Sequence, residues 1–566
     1  MSETNTVIGI NFGTSYTSIA YLNKVNHHYL FHGDEEYLLK RVYPMVCYQE
    51  GRADCLANEE GDRQIASVLA FHGEEEVVGS QAKSDIARHP NTTVANFRAV
   101  LGKNFAESET LTGSAAPIVN KDNLPAYEIT FPEEKKVLTA QEVSAKFLRH
   151  IRESAEAFLG TSVNGAVMAV PSYFTEKQRE QLTQAAEAAG IKVIQLVHES
   201  AAAALAYGIG QQSSTKDPQD KTIVVCDMGG HSFDVTVLTV RSGIYSILAT
   251  AHDTKLGGAS FDDLLINHFV AEFKKKTKVD ITSNAKALAK LRGAVEMTKK
   301  MLSSANSAPC FVESLAEGLD FHSTINRMRF EILSNKVFAK TLEVIREVLA
   351  KADLDPSEID EVILVGGAAR IPKLTVKMGE VFTSETTHIR ASEIEPDEVV
   401  ARGCAIQGSL VAGFDKEDVD ASMHPVVTLA PSTQKAIGVV NANGEFVTII
   451  PRGTALPARR VFEFSPASAD QTHAYLALHE GDHTIEKTEI PAAPVEVEEG
   501  EEPIEEEPEI VTKVVIKPAN LLLEAALPLE SKDKIEVQVT VDAQTNLSLV
   551  MRQKSKVVKA EVTAKQ

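Results

Sequence analysis

The chain has 566 residues, of which 43% are hydrophobic and 24% charged, and its 79 acidic and 57 basic side chains give a formal net charge of -22. This length is too great for a single hydrophobic core and predicts two or more domains. So acidic a chain is a poor direct ligand for nucleic acid or for an anionic membrane. Work beside RNA would need a basic partner to make the contact.

The sequence contains no signal for secretion or membrane insertion. Its first six residues are polar and lack the basic and apolar segments of a signal peptide. No apolar run is long enough to cross a bilayer. The five cysteines are odd in number, scattered and without metal-ligand spacing, which favours a reducing compartment. We therefore expect a cytoplasmic protein.

A strand followed by a polar turn opens the chain. Apolar residues 7–10 lead into Asn11, and the turn that follows carries Gly13, Thr14 and Ser15 before a second strand begins. A glycine turn lets backbone N–H groups approach an anion closely, because no Cβ stands in the way. The segment therefore predicts a phosphate-binding turn, although a single turn of this kind is more often a plain connection.

The same order of residues returns roughly two hundred residues later. The apolar run 223–226 leads into Asp227, which is followed by Gly229, Gly230, His231 and another strand. Two copies so far apart predict duplicated lobes that face a shared cleft. The carboxylate of Asp227, at the end of its strand, is well placed to hold Mg²⁺ through water.

The rest of roughly the first four hundred residues has an α/β pattern, in which strand-like runs alternate with helical periodicity. Leu265, Phe269 and Phe273 recur every four residues and predict a helix over 261–276. A third apolar strand leads into a glycine pair at 366–367. Three such turns in this order are stronger evidence for a phosphate cradle than any one of them.

The pattern changes after a polar segment at 411–424, which is typical of an interdomain linker. We expect one domain over 1–410 and a second over 425–566. Short alternating strands dominate the second part, which is therefore predicted to be all-β.

This second part contains a hairpin and an acidic tract. Asn443 and Gly444 mark a turn between arms at 437–440 and 446–450. Nine glutamates and three prolines crowd the segment 494–509, where like-charge repulsion and proline predict a disordered loop. A solubilising insertion and a docking site for a basic partner are equally open interpretations of this tract.

Taken together, these motifs resemble the DnaK-type heat-shock chaperones, the seventy-kilodalton family with an actin-like ATPase domain. Within the family the chain is most similar to the fungal members that pair with the J-protein zuotin in the ribosome-associated complex. The resemblance implies an α/β actin-like, two-lobed nucleotide-binding domain followed by an all-β sandwich domain, here without the family's helical lid. The segments that carry it are 9–16, 170–174, 199–203, 227–230, 256–258, 364–367 and 396–398.

The resemblance also implies an ATP site in the cleft and allows Mg²⁺ beside it. The family stretch that matches 296–303 holds the adenosine, and its four polar residues are spaced so that they can share a helix face. Without the resemblance they would be ordinary surface residues. The implied nucleotide contacts are Gly13, Thr14, Ser15, Tyr16, Asp227, Gly229, Gly230, His231, Ser232, Gly257, Gly258, Glu296, Lys299, Lys300, Ser303, Gly366, Gly367, Arg370 and Asp397.

The catalytic pattern of the family is broken at several positions. Asn11 replaces an aspartate, and Arg98 replaces a lysine that helps to place the attacking water. His231 replaces a glycine and Ala201 a threonine, whereas Glu199 remains. Losing one electrostatic stabiliser commonly costs about a hundred-fold in rate. We therefore predict ATP binding with little or no hydrolysis; the alternative is a slow ATPase with compensating residues.

The family's leucine-rich linker, which docks on the ATPase domain, is also altered. Asp418, Val419 and Asp420 look too polar to bury, and each missing leucine forfeits about 1.5–3 kcal/mol. We expect weak coupling between the nucleotide and the β domain.

The implied partners are a zuotin-like J-protein, the ribosome through that partner, and a second DnaK-type chaperone with the usual family motifs. The implied function is that of a co-chaperone for nascent chains. An active chaperone that cycles on client peptides is the main alternative. A metabolite kinase of the actin-like superfamily is another, but it would leave the β half unexplained.

Overall fold

The structure is a computed structural model of the chain, and the predicted acidic loop falls almost wholly outside the residues that it describes. Glu509, the last residue of that segment, is the first residue of a strand, so the loop prediction is wrong at this position. The described residues are 6–23, 52–108, 115–209, 220–241, 243–412, 414–415, 417–419, 431–441, 443–466, 471–490 and 509–563.

The first lobe is built on a mixed sheet that begins with the predicted strand, turn and strand. Its strands are β1 Val7–Phe12, β2 Tyr16–Asn23, β3 Arg52–Cys55, β4 Ile65–Ala66, β5 Val68–His72, β6 Glu75–Val78, β7 Thr93–Ala95, β8 Ile118–Lys121, β9 Leu124–Thr130, β10 Lys135–Thr139, β11 Gly165–Val170 and β12 Val193–His198. Its helices are α1 Gly79–Asp85, α2 Phe97–Val100, α3 Phe105–Ser108, α4 Ala140–Leu159, α5 Glu176–Ala188 and α6 Glu199–Ala206. The central sheet has the order β12-β11-β1-β2-β3, with β4 beside β2.

The second lobe repeats this plan. Its strands are β13 Lys221–Met228, β14 Phe233–Arg241, β15 Ile244–Asp253, β16 Ser307–Ala316, β17 Leu319–Asn326, β18 Glu361–Val365 and β19 His388–Arg390. Its helices are α7 Gly258–Thr277, α8 Ala285–Ser304, α9 Arg327–Leu333, α10 Asn335–Ala352 and α11 Pro372–Val381, and the chain then returns to the first lobe as α12 Val399–Val411. Its central sheet has the order β15-β14-β13-β18-β19.

The two central sheets share one arrangement, which confirms the predicted duplication. In each, a hairpin is extended by a third antiparallel strand on one side and by two parallel strands on the other. The predicted helix over 261–276 is also confirmed, because α7 spans it and buries Leu265, Phe269 and Phe273 in the second lobe. Within the described residues, no helix has the length and apolarity of a membrane span.

Helix α12 joins the lobes by packing closely on β1 and α6. A Cβ on Gly9 would lie 2.2 Å from the backbone nitrogen of Ala405, and one on Gly403 would lie 1.9 Å from the carbonyl oxygen of Ala202. Only glycine permits these backbone approaches. Buried residues of α12 belong to a core cluster that also contains residues of both central sheets, among them Val167 of the first lobe. The lobes therefore meet at a tightly packed joint below the cleft.

The last part of the chain is a sandwich of two antiparallel sheets around one apolar core. Its strands are β20 Ala436–Val440, β21 Phe446–Ile450, β22 Ala458–Phe464, β23 His473–Ile490, β24 Glu509–Pro528, β25 Ile535–Val541, β26 Leu547–Gln553 and β27 Lys556–Val562. The sheets have the orders β21-β20-β23-β24 and β22-β25-β26-β27. β20 and β21 form the hairpin predicted around Gly444, whose φ is +83°.

The sandwich rests against the second lobe. Nδ1 of His483, on β23, lies 2.6 Å from the carboxylate of Glu358. The hydroxyl of Thr239, on β14, donates to the carbonyl oxygen of Gly453 at 3.1 Å. A cavity of about 520 Å³ lies between these contacts. The sandwich and the second lobe therefore form one continuous surface.

Val419 contradicts the expectation that residues 418–420 are too polar to bury. Its side chain is 6% exposed and belongs to the core cluster at the joint between the lobes. Asp418 beside it is exposed. A single apolar side chain can be buried at the joint while its acidic neighbour remains in water. The average polarity of the segment does not reveal this difference between adjacent residues.

Replacing Val419 by aspartate should destabilise the folded chain by about 3 kcal/mol, because a charge would be buried without a partner. Asp418→Asn, at the exposed neighbouring position, should stay within about 0.5 kcal/mol of the wild type. Urea unfolding of both variants measures the difference. Equal stability of the two variants would show that Val419 is not docked in solution.

Candidate functional site

The topology brings four strand ends to the cleft. β1, β11 and β12 are parallel and adjacent in the order β12-β11-β1, so Asn11, near the end of β1, and Glu199, directly after β12, lie at the same edge of the sheet. β13 and β18 are parallel in the second lobe, so Asp227 lies near the turn that begins at Gly366. The carboxyl ends of parallel strands are where α/β sheets bind their ligands. The residues predicted for phosphate and metal therefore lie at one place in each lobe.

The first and second glycine turns meet across the cleft. The hydroxyl oxygen of Ser15 lies 3.0 Å from Nδ1 of His231. A Cβ on Gly230 would lie 2.0 Å from that hydroxyl oxygen. Ser67 fixes the first turn, because its hydroxyl donates to the carbonyl oxygen of Gly13 at 2.8 Å. The two turns thus enclose a narrow polar space.

The start of α7 supports the second turn. The N–H of Gly258 donates to the carbonyl oxygen of Gly229 at 2.9 Å, and the N–H of Ala259 donates to that of Gly230 at 2.8 Å. A Cβ on Gly257 would lie 2.8 Å from the backbone of Gly230. Gly257 and Gly258 therefore shape the turn, and their predicted place beside the cleft is the one that the structure gives them.

The third glycine turn, at Gly366 and Gly367, packs against the carboxyl end of β13. Gly366 has a φ of +87°, and a Cβ there would lie 2.6 Å from a carboxylate oxygen of Asp227. Gly367 opens the short 3₁₀ segment that ends at Arg370. The guanidinium of Arg370 lies 2.6 Å from the carboxylate of Asp397. The structure therefore brings these five predicted residues together at one side of the cleft.

A cluster of charged side chains connects the lobes above the turns. The carboxylate of Glu296, on α8, accepts a hydrogen bond from the hydroxyl of Tyr16 at 2.5 Å and lies 2.6 Å from Nζ of Lys83. Lys300 donates to the same hydroxyl at 2.8 Å. Burial alone would raise the pKa of Glu296, but Lys83 and Lys300 lower it to about 2. We name Tyr16, Lys83, Glu296 and Lys300 the cross-lobe cluster.

The other two predicted residues of α8 have different surroundings. Nζ of Lys299 lies 2.8 Å from the carboxylate of Asp262 and donates to the carbonyl oxygen of Gly258 at 2.9 Å. The carbonyl oxygen of Ser303 accepts from the guanidinium of Arg327 at 3.4 Å. Lys299 therefore contacts the start of α7, whereas Glu296 and Lys300 belong to the cross-lobe cluster.

A buried ion pair lies at the floor of the cleft. Nη2 of Arg98 lies 2.6 Å from the carboxylate of Glu199, and the two side chains are 9% and 10% exposed. The guanidinium also lies over the ring of Phe174, 5.3 Å from its centroid. Glu199 is the first residue of α6, where the helix dipole favours a carboxylate. The pair is thus held by charge, ring contact and helix geometry.

Two carboxylates accompany this pair, one of which the sequence analysis missed. Burial and the charges of Glu199 and Asp234 raise the pKa of Asp227 well above its usual range. Burial and Glu199 raise the pKa of Asp234 to about 7. The sequence signal for Asp234 was an acid inside the apolar strand that follows the second turn. Lys83 was missed as well, and no local pattern marks it.

The residues fit a Mg²⁺ ion held through water, as predicted for Asp227, and they do not fit a direct cage. Within the described residues, no three histidine, cysteine, aspartate or glutamate side chains converge as metal ligands. Oδ1 of Asp234 is buried and has no hydrogen-bond partner among the described residues. A hydrated cation would offset the repulsion between Asp227, Asp234 and Glu199. Asn11 contributes no charge to this group.

Comparison with known proteins identifies the family. The family described as Hsp70 protein matches residues 43–566. The chain belongs to the Hsp70 family. The likeness inferred from the motifs of the sequence is thereby confirmed, and so is its place among the heat-shock chaperones.

Individual Hsp70-family relatives extend the match. A heat shock protein 70 homolog of Schizosaccharomyces pombe is 38% identical over 569 residues, covering 98% of this chain and 94% of that protein. The ribosome-associated complex subunit SSZ1 of Saccharomyces cerevisiae is 34% identical over 557 residues, covering 96% and 97%. A ribosome-associated molecular chaperone of the same yeast is 35% identical over 447 residues, covering 78% and 71%.

Removing one member of the buried ion pair should be worse than removing both. Glu199→Ala leaves the guanidinium of Arg98 buried and uncompensated, which should cost about 3–5 kcal/mol. The double variant Arg98→Met/Glu199→Leu should lose less, because apolar side chains fill the same space. Urea unfolding of the nucleotide-free variants measures both changes, with Glu187→Gln on the exposed face of α5 as control. A double variant that loses as much stability as Glu199→Ala, or more, would contradict the pairing.

Proposed function

We propose that this Hsp70-family chain is an ATP-binding co-chaperone with little or no ATP hydrolysis. In this proposal it forms a lasting complex with a zuotin-like J-protein and assists the folding of nascent chains. Its location is cytoplasmic, at the ribosome. The observation that carries the proposal is a cleft that keeps three glycine turns while the residues for metal, water and phosphate chemistry depart from the family's pattern.

Nucleotide binding is supported by the three glycine turns and the cross-lobe cluster. Members of this family bind ATP with Mg²⁺. The turns supply close backbone approach at Gly13, Gly230 and Gly366. The resemblance assigns Lys300 and Arg370 to the two sides of the adenine base, and arginine and lysine stems suit such packing. We assign ATP to this cleft and a water-held Mg²⁺ to Asp227.

Poor hydrolysis is supported by the surroundings of Arg98. A lysine at this position would carry a compact ammonium with three rotatable donors, whereas the guanidinium is a planar fork. That fork is held by Glu199 and the ring of Phe174. It cannot turn freely to orient an attacking water. Asn11 removes a negative charge from the same region.

In single-turnover assays, ATP cleavage by the purified chain should stay near the uncatalysed background. The double variant Asn11→Asp/Arg98→Lys should raise the rate by about a hundred-fold, the scale of one restored electrostatic stabiliser. The conservative change Arg346→Lys, on the exposed face of α10, serves as control and should leave the rate unchanged. Wild-type cleavage at the rate of an ordinary family member would contradict the proposal.

One observation favours the alternative, an ATP-driven chaperone that cycles on client peptides. Val419 is buried at the joint between the lobes, and the sandwich contacts the second lobe through His483 and Gly453. These contacts provide a physical connection between the cleft and the β domain. The single-turnover assay separates the two functions, because cycling requires hydrolysis.

The partner proposal rests on the relatives and on charge. Two relatives are named for the ribosome, one of them as a subunit of the ribosome-associated complex. A net charge of -22 makes direct RNA contact unfavourable, so we assign the ribosome contact to a basic partner. Among the described residues, the edge strands of the sandwich are β21, β24, β22 and β27, and the outer side of each is open to an extended segment. Such a segment would cover edges that otherwise invite aggregation.

Truncation of the chain before about Met423 should abolish pull-down of the J-protein, because the proposed docking strands lie beyond that residue. The nucleotide domain of the truncated chain should still melt as a folded unit, which is the control. Undiminished binding of the J-protein to the truncated chain would show that the β domain is not the binding site for this partner. Raising the salt concentration should weaken any contribution of the acidic segment 494–509 first.

A further inference from the structure

His231 gives the cleft a side chain at a position where the sequence resemblance leads one to expect a glycine. The residue lies in the second turn, between β13 and β14, and its Nδ1 lies 3.0 Å from the hydroxyl of Ser15 in the first turn. The hydrogen bond therefore spans the two lobes at the phosphate end of the cleft. The other ring nitrogen, Nε2, makes no hydrogen bond within the described residues, and the ring is only partly buried.

Burial and the balance of nearby charges keep the ring neutral. Burial and the nearby charges of Arg292 and Lys299 lower the pKa of His231. A neutral imidazole carries one proton, and the hydrogen bond of the other nitrogen decides which atom holds it. If Ser15 donates to Nδ1, the proton is on Nε2. A donor beside two glycine turns suits an anionic oxygen.

We infer that His231 selects a nucleoside triphosphate over a diphosphate, by donating a hydrogen bond from Nε2 to the terminal phosphate while Ser15 holds Nδ1. The inference rests on the proposed binding of ATP in this cleft. It identifies His231 as a residue that distinguishes the triphosphate from the diphosphate. It also gives a reason for an imidazole at a position where a glycine would leave more room. A ring that only filled space would affect both nucleotides alike.

The opposite role is a ring that blocks the terminal phosphate. Gly230 leaves no room on its own side of the turn, since a Cβ there would lie 2.0 Å from the hydroxyl oxygen of Ser15. The ring of His231, however, is tied to that same hydroxyl and is directed across the turns. The contact with Ser15 occupies Nδ1, so Nε2 is the ring nitrogen that remains to contact a phosphate.

The affinities of ATP and ADP for nucleotide-free protein in Mg²⁺ buffer test the inference, measured by calorimetry on the full chain. The wild type should prefer ATP. His231→Gly should lower the ratio of the two affinities by about ten-fold, almost wholly through weaker ATP binding, since hydrogen bonds to charged groups are strong. His231→Gln should keep most of the preference, because its amide can donate from the position of Nε2. His322→Gln, on the exposed face of β17, should change nothing.

Each other outcome counts against the inference. An unchanged ratio in His231→Gly would make the residue structural, and tighter ATP binding in that variant would make the ring a block. If the wild type bound ATP and ADP equally, the inference alone would fail. If the wild type bound neither, the proposed function would fail with it. Melting curves of the nucleotide-free variants establish that each is folded before binding is compared.

Discussion

The buried pair of Arg98 and Glu199 sets the chemistry of the cleft. It places one fixed positive charge beside three carboxylates in a region closed to bulk water. Buried charges of this kind are tolerated only when they are paired and well oriented, because desolvation is costly. The arrangement therefore favours a rigid site. A guanidinium fixed in this way stabilises the neighbouring carboxylates, but it is poorly suited to orienting an attacking water molecule during hydrolysis.

The contacts that hold a nucleotide are separate from those that would cleave it. The turns, the cross-lobe cluster and the joint around α12 connect the lobes through glycine contacts, hydrogen bonds and apolar packing. None of these contacts depends on Asn11 or Arg98. A chain can therefore change its catalytic residues while the cleft keeps its shape. The contact between the sandwich and the second lobe extends that rigidity toward the surfaces proposed for the partner.

Periodicity and glycine placement predict most of this fold, and the limits have physical causes. The repeated strand and turn revealed the duplicated lobes, and Asn443-Gly444 revealed a hairpin, because both depend on local backbone rules. Lys83 and the burial of Val419 depend on contacts between distant segments, which no local pattern encodes. Asp234 left a local sign, an acid within an apolar strand, that could have been used. The sequence resemblance supplied the list of site residues; local patterns supplied only the turns.

The identity of the nucleotide carried by the freshly purified chain tests the central claim most directly. Denaturing the protein and separating the released nucleotide by chromatography distinguishes a site that holds ATP from one that turns it over. The account predicts that the released nucleotide is ATP, retained through purification in Mg²⁺ buffer. Recovery of ADP as the main species would show that the cleft hydrolyses what it binds and would contradict the account.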